Sequence, residues 1–357
     1  MTTLDDLLRQ LVDSGGTDLV VKAGSPPRIR VGGELVALPV AALEAYAVAA
    51  LVDDIAPPAR AADLVERGET DFAHGVAGVG RFRIGAYRQR GSVAVICHRV
   101  APGLLSAEEL GLPPVLDRLC DVGRGLVLVV GPAGSGVSTT MAALVDHVNA
   151  TRSCHVVTVE RPIEHLHTDR RAIVSQREVG TDTPSVAAAV NGASRQGADV
   201  IAVGEVADLT DLRAVLEAAE LGALVLVAFS ALSSTEALVR LVETFPEADR
   251  RRARIVLSTV LRGALSQRLL ERADGRGQVG AYEVVLASTK VTDCITGGEL
   301  GQIRRLIAES EYSGMQTIDR ALELLASEGL VSVGAAVAAA EAPDELRLAL
   351  GSLLSRA

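Results

Sequence analysis

The spacing of apolar residues in the first hundred positions predicts a small domain of mixed helices and strands. Five apolar residues near the start recur at helical spacing: Leu4, Leu7, Leu8, Leu11 and Val12. This spacing predicts an amphipathic helix that ends at Gly15 and Gly16. Two strands follow in "DLVVKAG" and "RIRVGGELVAL", where the Gly-Gly pair fits a two-residue hairpin turn.

The rest of this segment predicts a further helix and two long strands. The helix is expected near residues 41–53, and the strands in "GRFRIGAYRQR" and "SVAVICHRV". The run "SAEELGLPPVLDRLC" then predicts a connecting helix. We therefore assign residues 1–101 to an N-terminal α+β domain and residues 102–123 to a linker helix.

From Arg124 onward the pattern changes to buried strands that alternate with helices. Four strand-like runs are separated by helical stretches, namely "GLVLVV", "HVVTVE", "DVIAVGE" and "ALVLVAFS". Alternation of this kind predicts a parallel sheet with crossover helices, so the fold class is α/β. Beyond about residue 247 the sequence predicts mostly helix, interrupted by "GAYEVVLAS". Residues 124–357 thus form the second predicted domain, with a helical C-terminal part.

Composition and charge narrow the function classes. The chain has 357 residues, 48% of them hydrophobic, and a net charge of −10, which excludes a disordered protein. Its basic residues are scattered, so a nucleic-acid partner is not expected. Four cysteines lie far apart and suggest neither a zinc module nor a disulfide framework. With an acidic, amphipathic N-terminus and no apolar run of about 18 residues, we expect a cytoplasmic protein.

The stretch "GPAGSGVSTT" (residues 131–140) has the form of a phosphate-binding loop. It follows an apolar strand and precedes a helix, and the pattern G-x-x-x-x-G-K-[ST] closes backbone N–H groups around phosphate oxygens. The predicted nucleotide-binding residues are Gly131, Gly134, Ser135, Gly136, Val137, Ser138 and Thr139. The hydroxyl of Ser138 is the predicted Mg²⁺ ligand.

Val137 stands where this pattern requires a lysine that reaches the outer phosphates. The chain has only two lysines, Lys22 and Lys290, and neither is near the loop in sequence. Loss of one such electrostatic donor costs about 3–4 kcal/mol of transition-state stabilisation. We therefore predict a loop that keeps its shape and binds nucleotide weakly. The alternative is a glycine turn that binds nothing.

Motifs along nearly the whole chain resemble the PilT-type retraction ATPases of type IV pili, in the secretion-ATPase superfamily. The segments similar to that family are "DLVVKAGSPPRIRVGGEL", "GVGRFRIGAYRQRG", the loop itself, "VTVERPIEHLH", "VSQREVGTDT", "DVIAVGEVADL" and "SGMQTIDRAL". The resemblance implies a PAS-like N-terminal domain and a RecA-like P-loop domain. It also implies ATP with Mg²⁺ and a homo-oligomer, expected to be a hexameric ring. The expected place is the cytoplasmic face of the inner membrane, at the platform protein of a pilus machine.

The same resemblance assigns roles to two carboxylates and two arginines. Glu160 matches the general-base position, and Glu205 the position that orders Mg²⁺ and water. Arg81 and Arg83 match arginines that reach a neighbouring subunit's nucleotide.

The departures from the family pattern fall on polar positions. Arg161 replaces an aspartate, Ala207 an arginine, and Ala223 and Ser230 two histidines. We expect a degenerate ATPase with weak or no turnover. One alternative is a working enzyme in which an arginine supplied in trans replaces the lysine. Another is a structural or regulatory subunit that assembles with an active paralogous ATPase.

Overall fold

The computed structural model describes residues 2–100, 103–310 and 313–351. Two compact units make up the chain, Met1–Gly103 with Pro162–Leu166, and Leu104–Arg161 with His167–Ala357. The domain boundary that we predicted at residues 101–102 lies outside the described residues.

The first unit is a sheet with helices packed on one face. Its helices are α1 (Leu4–Asp13), α2 (Ala45–Asp53) and α3 (Pro58–Glu66). Its strands are β1 (Asp18–Lys22), β2 (Arg28–Val31), β3 (Glu34–Ala37), β4 (Glu69–Val76), β5 (Gly80–Gln89) and β6 (Ser92–Arg99). Neighbouring strands are antiparallel in the order β3-β2-β1-β6-β5-β4. The leucines of α1 are buried against this sheet, as their spacing predicted.

The second unit is built on a mainly parallel sheet. Its strands are β7 (Gly125–Val130), β8 (His155–Glu160), β9 (Ile173–Glu178), β10 (Val200–Val203), β11 (Leu224–Phe229), β12 (Leu261–Glu271) and β13 (Gln278–Leu286), in the order β13-β12-β7-β11-β10-β8-β9. Among the described strands of this sheet, only β12 and β13 pair in antiparallel fashion. All six residues of β7 and all four of β10 are buried, because the sheet has apolar clusters on both faces.

Helices cover both faces of this sheet and extend beyond it. They are α4 (Val115–Asp121), α5 (Val137–Thr151), α6 (Val186–Arg195), α7 (Leu209–Leu221), α8 (Ser234–Glu243), α9 (Glu247–Val260), α10 (Thr289–Gly297), α11 (Ile303–Glu309), α12 (Ile318–Ser327), α13 (Val333–Ala339) and α14 (Pro343–Ala349). The predicted fold class, α/β with a small N-terminal α+β domain and a helical C-terminal part, is confirmed.

Two local predictions were wrong. The connecting helix forms only over Val115–Asp121, because Pro113 and Pro114 cannot continue a helix from the preceding residues. The region after residue 247 contains a long strand, Leu261–Glu271, that we had assigned to helix. Its apolar run "GALSQRLL" fits a buried strand as well as a helix, and periodicity alone does not separate the two.

Candidate nucleotide-binding site

The candidate site lies at the carboxyl edge of the parallel sheet. Strands β7, β11, β10 and β8 run in the same direction, so their carboxyl ends meet at one edge, where open α/β sheets bind ligands. The glycine-rich loop leaves β7 there, Glu205 follows β10, and Glu160 ends β8. The register places Val203 of β10 beside Val159 of β8. The sequence-predicted loop and both carboxylates are therefore at the same edge.

The loop between β7 and α5 is tightly closed on itself. Gly136 adopts the left-handed region with φ of 84° and precedes the first residue of α5. A Cβ added at Gly131 would collide with Oγ of Ser135 and lie 2.9 Å from Cγ2 of Val137. Glycine is therefore required at Gly131 by close approach and at Gly136 by backbone conformation.

Gln267 of β12 holds the loop in place from the neighbouring strand. Its Nε2 donates a hydrogen bond to the carbonyl oxygen of Ser135 (2.6 Å). Its Oε1 accepts one from Oγ1 of Thr140 in α5 (2.8 Å). Gln267 is only 1% exposed, so both bonds form away from water and define the position of the loop relative to the helix. Sequence reasoning missed Gln267 because it assigned β12 to helix.

Ser135 contributes a buried hydroxyl inside the loop. The residue is 5% exposed, and its Oγ has no hydrogen-bond partner among the described residues. Buried polar atoms are normally hydrogen-bonded, so this hydroxyl fits a loop that binds a ligand. A phosphate oxygen would satisfy this donor together with the backbone N–H groups at the N-terminus of α5.

Val137 gives the loop an apolar side chain at its entrance to α5. The side chain is half-buried and packs against the apolar cluster that contains Met141 and Leu144. It lies beside Gly131, where an added Cβ would come within 2.9 Å of Cγ2 of Val137. The loop thus supplies backbone donors and a helix dipole for a phosphate, and no side-chain cation.

The two carboxylates have different surroundings. Oε1 of Glu160 accepts hydrogen bonds from Oγ1 of Thr158 (2.6 Å) and Nε2 of Gln176 (3.2 Å). A Cβ at Gly204 would lie 3.7 Å from Cγ of Glu160, so the end of β10 passes close to this side chain. Glu205 is exposed and forms no hydrogen bond or ion pair with the rest of the described chain. Glu160 is therefore fixed, whereas Glu205 is available.

The oxygen atoms at this edge fit a magnesium ion that arrives with a nucleotide. Ser138 is exposed in the first turn of α5 and Glu205 is exposed after β10. Mg²⁺ is typically bound through one or two protein oxygens together with substrate phosphates. No cluster of three or more His, Cys, Asp or Glu side chains that could hold a metal occurs within the described ranges. Ser138 and Glu205 would hold the ion only jointly with the phosphates.

Arg81 and Arg83 lie on β5 of the N-terminal unit. Phe82 and Ile84 on the same strand are buried in that unit's core, so the two arginines share the opposite face, as predicted from their spacing. Nε of Arg83 is 3.9 Å from Oδ1 of Asp71, and both side chains are largely exposed. The role of these arginines at a neighbour's nucleotide stays a prediction.

Strand, glycine loop and helix, with carboxylates at neighbouring strand ends, define the class of protein as a P-loop nucleotide-binding domain of the RecA-like type. A family model described as "Type II/IV secretion system protein" matches residues 106–322. The chain belongs to this secretion-ATPase family, and within it to the PilT type.

Named relatives that match over almost the full length of the chain support its assignment to the PilT type. The "Type IV pilus retractation ATPase PilT" of Pseudomonas aeruginosa is 38% identical over 92% of this chain and 95% of its own. The "Type IV pilus ATPase PilU" of the same organism is 35% identical over 96% of this chain and 90% of its own. A crystal structure of the pilus retraction motor PilT with bound ADP matches with a TM-score of 0.89 and 36% identity, covering 98% of this chain and 100% of that one.

The described helices include no candidate membrane span. None of them is both long enough and apolar enough to cross a bilayer.

The role of Gln267 in holding the loop can be tested by the substitution Gln267→Leu. The volume is nearly unchanged, but the Ser135 carbonyl and the Thr140 hydroxyl lose their buried partner. We expect a loss of about 2 kcal/mol or more in the free energy of unfolding, measured by urea titration. Gln278→Leu, at an exposed position on β13, is the matched control and should stay within about 0.5 kcal/mol of the parent. Equal stabilities of the two variants would show that the hydrogen bonds of Gln267 do not stabilise the fold.

Proposed function

We propose that this chain is a motor-type subunit of a type IV pilus retraction machine that binds adenine nucleotide weakly and hydrolyses it slowly or not at all. Relatives that match over 83–95% of their own length are named a type IV pilus retractation ATPase, a type IV pilus ATPase and a twitching motility protein. The proposal depends above all on one observation, the apolar side chain of Val137 packed onto the loop where a phosphate-binding cation is needed.

The proposed ligand is ATP with Mg²⁺. Ser135, the backbone of the loop and the N-terminus of α5 would hold the phosphates, and Ser138 with Glu205 would hold the ion. When bound, the ion would supply positive charge to the phosphates. Glu160 would orient the attacking water, but its Oε1 already accepts two hydrogen bonds.

A second candidate is a structural or regulatory subunit that assembles with an active paralogous ATPase or with the inner-membrane platform protein. The replaced polar positions favour it, because Ala207 and Ala223 have no polar side-chain group and Ser230 has no positive charge to stabilise a phosphate. In both cases the place of action is the cytoplasmic side of the inner membrane. The two candidates differ in whether bound nucleotide is ever hydrolysed.

We propose that the chain forms a homo-oligomeric ring, six-membered as in the family pattern, and that assembly does not depend on nucleotide. Each unit has its own apolar core, so the scaffold for assembly does not depend on the polar residues of the catalytic site. Analytical ultracentrifugation without nucleotide should show an oligomer at micromolar concentration. A strictly monomeric species under these conditions would count against the ring.

Turnover can be tested against a variant that lacks a catalytic carboxylate. Since the loop has no cation, we expect the parent's ATPase rate to equal that of Glu205→Gln, measured by phosphate release. A working member of this class would turn over on the order of 1 s⁻¹. A rate of that size in the parent, abolished in Glu205→Gln, would overturn the proposal of weak hydrolysis and support an arginine supplied by a neighbouring subunit.

The substitution Val137→Lys tests whether the loop is still a phosphate cradle. The glycines, the Ser135 hydroxyl and the helix N-terminus are in place, so one added cation should raise Mg-ATP affinity at least tenfold, or about 1.4 kcal/mol, by calorimetry. Val137→Leu is the matched control and should bind as the parent does. Hydrolysis should stay low because other polar positions remain altered. If Val137→Lys binds no better than Val137→Leu, the loop is no longer a phosphate cradle.

A further inference from the structure

The candidate site has donors for a phosphate but lacks a cation within the loop itself. Ser135 presents a buried, unpartnered hydroxyl, and the 15-residue helix α5 points its N-terminus into the loop. Neither group neutralises the several negative charges of a triphosphate. A triphosphate held here needs positive charge from another element at the carboxyl edge.

Arg161 is a cation at that edge. It directly follows Glu160, the last residue of β8, and its side chain is exposed. It forms no hydrogen bond or ion pair with another residue in the described part of the chain. A surface arginine without a partner can reorient toward a ligand without first breaking an ion pair.

The strand register brings Arg161 to the same part of this edge as Glu205. Val159 of β8 pairs with Val203 of β10. Arg161 comes two residues after Val159, and Glu205 comes two residues after Val203. Three inter-strand spacings of about 4.8 Å separate β7 from β8, which is about 14 Å. Arg161 is therefore too far from the start of the loop to take over the inner phosphate. A flexible side chain from this point can reach the outer end of a polyphosphate that extends from the loop across the strand ends.

We propose that Arg161 supplies, within the same subunit, the positive charge that the loop lacks, by contacting the terminal phosphate of a bound nucleoside triphosphate. A guanidinium donates two parallel hydrogen bonds to phosphate oxygens and keeps its charge at any physiological pH. The loop and Ser135 hold the inner phosphates, and Arg161 meets the outermost one. The site then distinguishes ATP from ADP by a contact at the end of β8. This inference rests on the proposed function, since it names the residue that selects the nucleotide in that same site.

The test compares ATP and ADP affinities of the full-length chain and of three variants by calorimetry in the presence of Mg²⁺. Arg161→Ala should lower ATP affinity about tenfold, while ADP affinity falls less than threefold. Arg161→Lys keeps the charge but not the paired donors, so ATP affinity should lie between those of the parent and Arg161→Ala. Arg195→Ala is the matched control, because Arg195 is also exposed and lies at the end of α6, which leads into the amino end of β10 at the opposite edge. It should bind both nucleotides as the parent does.

Each remaining outcome has a separate meaning. If Arg161→Ala binds ATP as tightly as the parent, the role of Arg161 is wrong and the proposed function stands. Equal losses for ATP and ADP, or a similar loss in Arg195→Ala, would show general electrostatic attraction and also overturn the inference. If the parent binds neither nucleotide, both the inference and nucleotide binding in the proposed function are overturned. Far-ultraviolet circular dichroism of each variant establishes that it is folded, and Arg161→Gln replaces Arg161→Ala if the latter is not.

Discussion

The candidate site depends on the burial of β7 between two parallel neighbours. All six residues of the strand are buried, and β11 and β12 bond to its two edges. This pairing fixes the point at which the chain leaves the sheet, so the loop at Gly131 begins where the amide of Gly131 still bonds to the carbonyl of Phe229 (3.2 Å). Gln267 then connects the loop and the first turns of α5 to β12. The shape of the glycine-rich loop is therefore determined by the burial of apolar side chains and by the buried amide of Gln267, without any contribution from a ligand.

The backbone shape of this loop comes from strand burial and Gln267, whereas a positive charge in it would come from a single side chain. The charge can therefore be lost while the shape remains. A lysine in the loop would lie at the surface, where a single charge contributes little to the stability of the fold. A large-to-small substitution in β7 or in the leucines of α1 would cost about 2–5 kcal/mol. This difference explains why the departures at Val137, Arg161 and Ser230 coexist with intact cores in both units. Val137 even adds a small apolar contact with the cluster beneath α5.

The sequence sufficed for the parts of the fold that have a strong local signal. The run "GLVLVV" is short, almost entirely apolar and soon followed by glycines, which favours a buried strand that ends in a tight turn, and the structure agrees. The spacing of Arg81 and Arg83 around Phe82 correctly placed both arginines on one face of β5. Gln267 could not be found in this way, because its importance comes from a contact 132 residues away in sequence, with Ser135. The same holds for Gln176, whose bond to Glu160 joins two strands that only the tertiary fold brings together.

The hydrogen bonds of Glu160 affect the proposed hydrolysis of a nucleotide more than they affect its binding. A general base must accept a proton from the attacking water, so one of its oxygens has to face that water. Oε1 of Glu160 instead receives hydrogen bonds from Thr158 on its own strand and Gln176 on β9, so this oxygen could face the water only by giving up one of them. Breaking such a bond to a charged acceptor costs about 1.5–3 kcal/mol unless another donor replaces it. Binding a phosphate in the loop requires no such rearrangement, because the Ser135 hydroxyl and the amides of α5 are already free to donate. If Glu160 has the proposed role of general base, its hydrogen bonds oppose cleavage of a nucleotide more than they oppose its binding.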